Sequence, residues 1–372
     1  MDKEEFKNAG EPEVGQSADK LPDKKNKLVW SLLSVAIAAL TIWAVMAQNK
    51  DFSLATMVAE IGEANPWWIG GAILSMFCYI GFEAMALLCI LREFGYNMSL
   101  GKGFVYSSAD IYFSAITPSA TGGQPASAFF MHRDGIPTTL AAVVLLANLL
   151  MYSCSTVGIG LLSTAIAPLT ITRFSTASQI LVIVGFVIQV ALLVLLFLVI
   201  TKERIILTLG NGIISFLGRI KILRRPDEKK KKFAASMDEY KEHAAALKGK
   251  KRMMLKVFVF NLLQRIFQIL VTVFTYVAMY DELAKTSALH PIRAFSLQAY
   301  VSIGAYCIPI PGSMGVTDAL MIDGFSRIGE VPVETLTFEL LSRTISFYSC
   351  ILICGLAVLI SYIAGKKRRA EI

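Results

Sequence analysis

The chain is 372 residues long, 55% of them hydrophobic and only 17% charged, with a mean hydropathy of +0.58. Soluble domains carry about 25% charged residues, so a water-soluble catalytic domain is excluded as the bulk of this molecule. The net charge of +8 does not point to nucleic acid, because Lys and Arg gather at the ends of apolar runs and in one loop, where the positive-inside rule places them. Cys78, Cys89, Cys154, Cys307, Cys350 and Cys354 all lie in apolar stretches without a Cys-x-x-Cys pair, and His132, His243 and His290 are far apart. They read as core residues, and no metal or cofactor is expected.

Residues 1–27 are mixed in charge and contain Pro and Gly. The apolar run after them ends without a small-residue cleavage site, so this segment reads as a disordered cytoplasmic tail and not a signal peptide. Runs of about 20 apolar residues are long enough to cross the hydrocarbon core. The first is Leu28 to about Ala47, led by Lys20, Lys24, Lys25 and Lys27. The second is Pro66 to Leu91, opened by Trp67 and Trp68 at the interface.

Residues 103–134 do not make one span. A moderately apolar stretch with Asp110 runs to Pro118, the Gly122-Gly123-Gln124-Pro125 break follows, and a short piece leads to His132-Arg133-Asp134. This reads as a re-entrant hairpin, a form tolerated where protein or a watery cavity satisfies the freed backbone groups. Spans follow at Thr138 to Ser163 and Ser178 to Ile200. The segment 202–252 then holds 15 Lys/Arg against 6 Asp/Glu, which marks it as cytoplasmic. Within it, Ile205 to Ile220 suits the membrane surface and Phe233 to Leu247 a solvated helix. A fifth span, Met253 to Tyr280, precedes a second broken region at 294–330, interrupted by Pro309-Ile-Pro311-Gly312-Ser313-Met314-Gly315. The last span, Glu334 to Ala364, ends in the basic tail 365–372.

With both termini inside, the hairpins must enter from opposite faces. The halves 28–201 and 253–364 repeat one order: Pro/Gly break, short helix, Gly-x-Pro type turn, long span. Met151-Tyr152-Ser153-Cys154 in one echoes Phe347-Tyr348-Ser349-Cys350 in the other. The expected fold is therefore all-α and polytopic, with about six full spans and two re-entrant hairpins in an inverted repeat. Such repeats place the substrate site near the midplane.

Polar and ionisable groups inside spans are costly and each is a site candidate. These are Glu83; Asp110 with Gln124; Gln264, Arg265 and Gln268; Asp318 and Asp323; Glu339 and Arg343. Glu339 and Arg343 share a helix face at i,i+4 and either neutralise each other or serve the site. Arg265 either finds an anionic partner or snorkels to the cytoplasmic end. Gly122, Gly123, Pro311 and Gly312 precede short helices, whose free N–H groups suit an anionic head group. No Walker lysine or dinucleotide fingerprint accompanies them.

Thr117-Pro118-Ser119-Ala120-Thr121-Gly122-Gly123-Gln124-Pro125 and Ile308-Pro309-Ile310-Pro311-Gly312-Ser313-Met314-Gly315-Val316-Thr317-Asp318-Ala319 resemble the two signature stretches of the lysylphosphatidylglycerol synthase/flippase transmembrane family. The resemblance covers about Leu28 to Ala364. It implies a multi-pass protein of the bacterial plasma membrane that handles phospholipid and moves aminoacylated phosphatidylglycerol to the outer leaflet, a step linked to cationic peptide resistance. In full-length members a separate C-terminal domain makes that lipid from aminoacyl-tRNA. The sequence stops eight residues after Ala364, so translocation without aminoacylation is the expectation. Gln124 stands where the family often has Glu, Ser127 where it often has Arg, and Asp318 where Glu is commoner. Ala147 and Asn148 occupy the place of an acid–Arg pair, which leaves the lipid open. In the leading reading, a lipid flippase, Arg265 and Arg343 contact the phosphate, Asp110, Gln124 and Asp318 take other polar groups, and Glu83 is a further substrate-site candidate. The other readings are a secondary transporter of a polar or amphiphilic solute, an enzyme of lipid modification, and a partner of a separately encoded lipid synthase. A homo-oligomer is compatible with each.

Overall fold

The computed structural model describes residues 59, 62–117, 120–201, 207–208, 210–212, 214–215, 219, 226–247, 249–280, 287, 289–305, 308, 310–327 and 335–370. The expected tail 1–27, the span Leu28 to Ala47 and most of Ile205 to Ile220 lie outside them. Among the described residues there is no strand, and five helices are long and apolar enough to cross a membrane.

The first, α1, is Pro66–Glu93. Pro66 occupies its first turn, and the Asn65 side chain accepts a hydrogen bond from the Trp67 amide, two devices that start a helix without orphaning a donor. Then come α2 (Leu100–Ile116) and α3 (Gly123–Arg133), the two arms of the first hairpin. Next are α4 (Thr138–Ile166), a 3₁₀ turn at Pro168–Arg173, α5 (Thr176–Thr201), α6 (Pro226–Leu247) and α7 (Lys251–Met279). The second hairpin is α8 (Leu289–Gly304) and α9 (Val316–Phe325), with a 3₁₀ turn at Pro311–Ser313 between them. The expected last span is interrupted: α10 (Thr335–Arg343) passes through a π turn at Thr344–Ser349 into α11 (Cys350–Ala370).

The helices pack as the repeat requires. The central pair is α1 against α7. Around it α1 packs on α2 as α7 packs on α8, α3 on α4 as α9 on α10, and α2 on α11 as α8 on α4. The hairpins open toward opposite ends of the bundle. At one end Lys102 pairs with Asp134 across the mouth of the first hairpin, Arg133 bonds Ser361 of α11, and Lys250 meets Glu93 at 2.7 Å. At the other end the Asn65 amide bonds the Ala278 carbonyl, and Asp323 of α9 accepts from the Ser175 amide at 2.8 Å. Between the two ends, α2 packs against the Pro311–Ser313 turn.

The outside is as informative as the core. On α5, Ile180, Ile183, Val187, Val194 and Phe197 are exposed, as are Leu352, Leu359, Ile360 and Ile363 on α11. A surface this apolar is stable only against acyl chains. One face of α6 departs from the solvated helix expected for Phe233 to Leu247. Met237, Tyr240, Ala244 and Leu247 repeat at helical spacing and are buried against the cluster that includes Leu140 and Val144 of α4.

A small residue sets the closest approach between the two halves at α5 and α8. A Cβ on Gly185 of α5 would lie 2.2 Å from the Ile303 carbonyl oxygen of α8, whereas one on Gly158 would meet nothing within 4 Å. Gly185→Ala is therefore expected to destabilise by about 1–3 kcal/mol, as overpacking does, and Gly158→Ala to be near neutral. Melting of the two variants in the same detergent checks this; equal midpoints would contradict the contact.

Candidate functional site

The two hairpin turns are built from strained backbone. Ala120 in the first and Ser313 in the second have φ of 54° and 51°, a left-handed conformation uncommon outside glycine. Gly312 (φ 61°) and Gly315 (φ 79°) add two more such residues to the second turn. Gly122, in contrast, is right-handed (φ −83°), so the glycine pair of the first turn serves close approach and not the reversal itself. A Cβ on Gly123 would sit 2.0 Å from Asp110 Oδ1. The missing side chain is what lets α3 begin directly against the Asp110 carboxyl. Thr117 closes the same turn, donating to the Phe113 carbonyl at 2.6 Å and accepting from the Gly122 amide at 2.9 Å.

Four of the sequence candidates converge beside this turn. Glu83 of α1 and Asp110 of α2 are both buried, and their carboxyl groups lie beside each other. Gln124 of α3 donates from Nε2 to Asp110 Oδ2 at 2.6 Å, and Ser114 donates to Asp110 Oδ1 at 3.2 Å. Gln264 of α7 donates from Nε2 to Glu83 Oε2 at 3.0 Å. Four helices thus contribute to one carboxyl pair.

The second hairpin holds a different arrangement. Asp318 reaches back to accept from the Gly315 amide at 2.8 Å, capping α9, and its other oxygen meets Arg343 at 2.5 Å. Arg343 also lies 3.5 Å from Glu339, one turn earlier on α10. Its guanidinium stands over the Phe347 ring, and that ring packs on Gly312, where a Cβ would be 2.3 Å from Phe347 Cζ. The π turn is what swings Phe347 into this position; such turns break the helical ladder and recur at functional sites. Gly312 therefore belongs to the Arg343 cluster, Pro311 precedes it in the same turn, and the Arg343 charge is taken up by Asp318.

Arg265 of α7 is 3% exposed. It donates to the Tyr152 hydroxyl of α4 at 2.8 Å and to Gln268 Oε1, with its guanidinium 5.0 Å from the Tyr152 ring. Of the two sequence readings, the structure selects an interior position and not a snorkelling one. Tyr152 was visible only as part of the Tyr-Ser-Cys echo; nothing in its own helix marked it as the partner of an arginine 113 positions later. Where the family's acid–Arg pair was sought, Asn148 instead accepts from Asn261 of α7 at 2.9 Å. Asp323 is a structural tie, held by the Ser175 amide and by Arg327 at 3.1 Å. Asp323→Ala removes a charged acceptor from a backbone donor, which costs about 1–3 kcal/mol. A lowered melting midpoint in detergent is the expected result, and an unchanged one would contradict the tie.

The described cysteines are free thiols. A family model described as the lysylphosphatidylglycerol synthase TM region matches residues 31–354. A search of curated proteins and a search of solved structures returned no match.

Proposed function

Because the chain belongs to the lysylphosphatidylglycerol synthase transmembrane-region family, we propose that it moves an anionic or aminoacylated phospholipid of the phosphatidylglycerol type between the leaflets of a bacterial plasma membrane. The observation that carries this reading is the meeting of two oppositely opening hairpins, each bringing buried charge to its strained turn, inside a bundle whose outer face is apolar. A head group crossing the bilayer needs polar partners part-way, and only a protein-lined path supplies them at tolerable cost. Arg265 is the residue assigned to the lipid phosphate. It is buried on α7 one residue after Gln264 of the first cluster, it donates to the Tyr152 hydroxyl and to Gln268, and guanidinium matches phosphate in a bidentate fashion.

In this reading the basic segment 202–252 and both termini face the cytoplasm, the chain transports lipid without synthesising it, and a separate enzyme supplies any aminoacylated substrate. Cells lacking the protein become more sensitive to cationic peptides.

The test is a scrambling assay in liposomes carrying trace fluorescent phosphatidylglycerol or its lysyl form, with dithionite as the membrane-impermeant quencher. The wild type is expected to bleach label beyond the outer-leaflet fraction, and Arg265→Ala to lose this at unchanged protein level. Full transport by that variant would remove Arg265 from the path. No movement of either lipid by folded wild type would overturn the assignment and favour solute transport.

A further inference from the structure

The buried charge of the bundle does not balance. Among the described residues the buried ionisable carboxylates and guanidiniums are Glu83, Asp110, Asp318 and Glu339 against Arg265 and Arg343, four acids to two bases. Fully ionised, the interior would carry two uncompensated negative charges, each costly in a medium that solvates ions poorly. In the second hairpin Arg343 contacts both Asp318 and Glu339. In the first no cation among the described residues touches the pair: the groups facing Glu83 and Asp110 are Ser107 and Ser114 of α2, Gln124 of α3, Gln264 of α7, Tyr79 of α1, and Cys350 and Cys354 of α11. Arg265, the nearest guanidinium on α7, is engaged by Tyr152 and Gln268.

Two acids buried side by side with no cation against them cannot both ionise cheaply, so one of the two holds a proton. The amides beside them give a second, independent indication. Gln264 Oε1 and Gln124 Oε1 are both buried and have no hydrogen-bond partner, while the Nε2 of each points at the pair. An amide in this position serves either charge state: its NH₂ donates to a carboxylate, and turned over, its oxygen accepts from a carboxylic acid. The orphaned oxygens are the acceptors that a protonated pair would use.

We propose that Glu83 and Asp110 form a proton-binding site at the first hairpin, and that loading and release of this proton is coupled to the movement of the turn and hence of the transported molecule. The balance is simple: one carboxylate oxygen takes one proton from water on one side of the membrane and returns it to water on the other, with no redox change. Because Gln124 and the Asp110–Gly123 contact join the pair to the hairpin tip, a change of charge at the pair changes the hydrogen bonds that hold the tip. The coupling rests on the transport reading above; the proton site does not.

Two measurements on reconstituted protein separate these. Difference infrared spectroscopy across a pH titration is expected to show a carboxylic-acid C=O band in wild type that is lost in Glu83→Gln and in Asp110→Asn, both of which keep the hydrogen-bonding shape. Absence of the band at every pH overturns the proton site. In the liposome assay an imposed pH gradient is expected to change the wild-type lipid rate several-fold and leave the Asp110→Asn rate unchanged. A rate that follows a sodium gradient instead, or one indifferent to both gradients, overturns the coupling. The band without any lipid movement in wild type upholds the proton site and refutes the lipid assignment alone.

Discussion

Arg343→Met is expected to be the most destabilising single substitution in the described part of the chain, by about 3–5 kcal/mol, because it strands buried carboxylates. The methionine fills most of the space and keeps the contact with Phe347, so the loss is electrostatic and not a cavity. It leaves Asp318, 2.5 Å from the guanidinium in the wild type, and Glu339 at 3.5 Å without their counter-charge. Asp318 also caps α9 through the Gly315 amide, so its displacement would loosen the second turn as well. The triple variant Arg343→Met, Asp318→Asn, Glu339→Gln removes the stranded charge and is expected to recover most of the stability, as buried ion networks often do when replaced as a unit. Melting midpoints in detergent compare the two. If the triple variant melts as low as the single one, the cost lies in shape and not in charge.

The helical frame was legible because apolar length reports crossing directly. Pro66 to Leu91 is observed as Pro66–Glu93, and Thr138 to Ser163 as Thr138–Ile166. The two breaks were legible because Pro and Gly punctuate the chain. The interior of the last span was not, since hydropathy does not distinguish α from π hydrogen bonding, and Phe347 is as apolar in one as in the other. The docked face of α6 was masked by the lysines around it: Met237, Tyr240, Ala244 and Leu247 are a sparse stripe in a charged helix. Within the site, Glu339 and Arg343 could be paired by spacing alone, but Glu83 and Asp110 could not. They lie on different helices, and only the packing of α1 on α2 joins them. The glycines of the first turn mark a break in the sequence, yet Ala120 takes the left-handed conformation and Gly123 supplies room. Sequence offers no sign of that division of labour, because both needs favour the same residue type.

Gly123→Ala tests that division and is expected to remove most transport, by more than tenfold, with a smaller effect on stability. Its Cβ would meet Asp110 Oδ1 at 2.0 Å, Ser114 Oγ at 2.1 Å and the Asp110 carbonyl oxygen at 2.6 Å. Two of these are side-chain atoms that can turn away, but the carbonyl belongs to α2 itself, so α3 must back off. The retreat pulls Gln124 from Asp110, a 2.6 Å hydrogen bond that does not survive a displacement approaching 1 Å. Misplacement of that order at a positioned site costs about 10²-fold in rate, while overpacking at one methyl costs the fold only about 1–3 kcal/mol. Gly122→Ala is the graded comparison: its nearest neighbours are the Thr117 side chain at 2.7 Å and 3.0 Å and the Phe113 carbonyl at 3.1 Å, and its φ is ordinary for alanine. Its expected defect is smaller. Gly81→Ala, with nothing within 4 Å, should transport normally. Lipid rates normalised to folded protein give the order Gly81→Ala, Gly122→Ala, Gly123→Ala from fastest to slowest. A Gly123→Ala protein that transports at the wild-type rate would mean that the contact between the turn and Asp110 is not part of the transport path, and the carboxyl pair would then be a structural feature of α1 and α2.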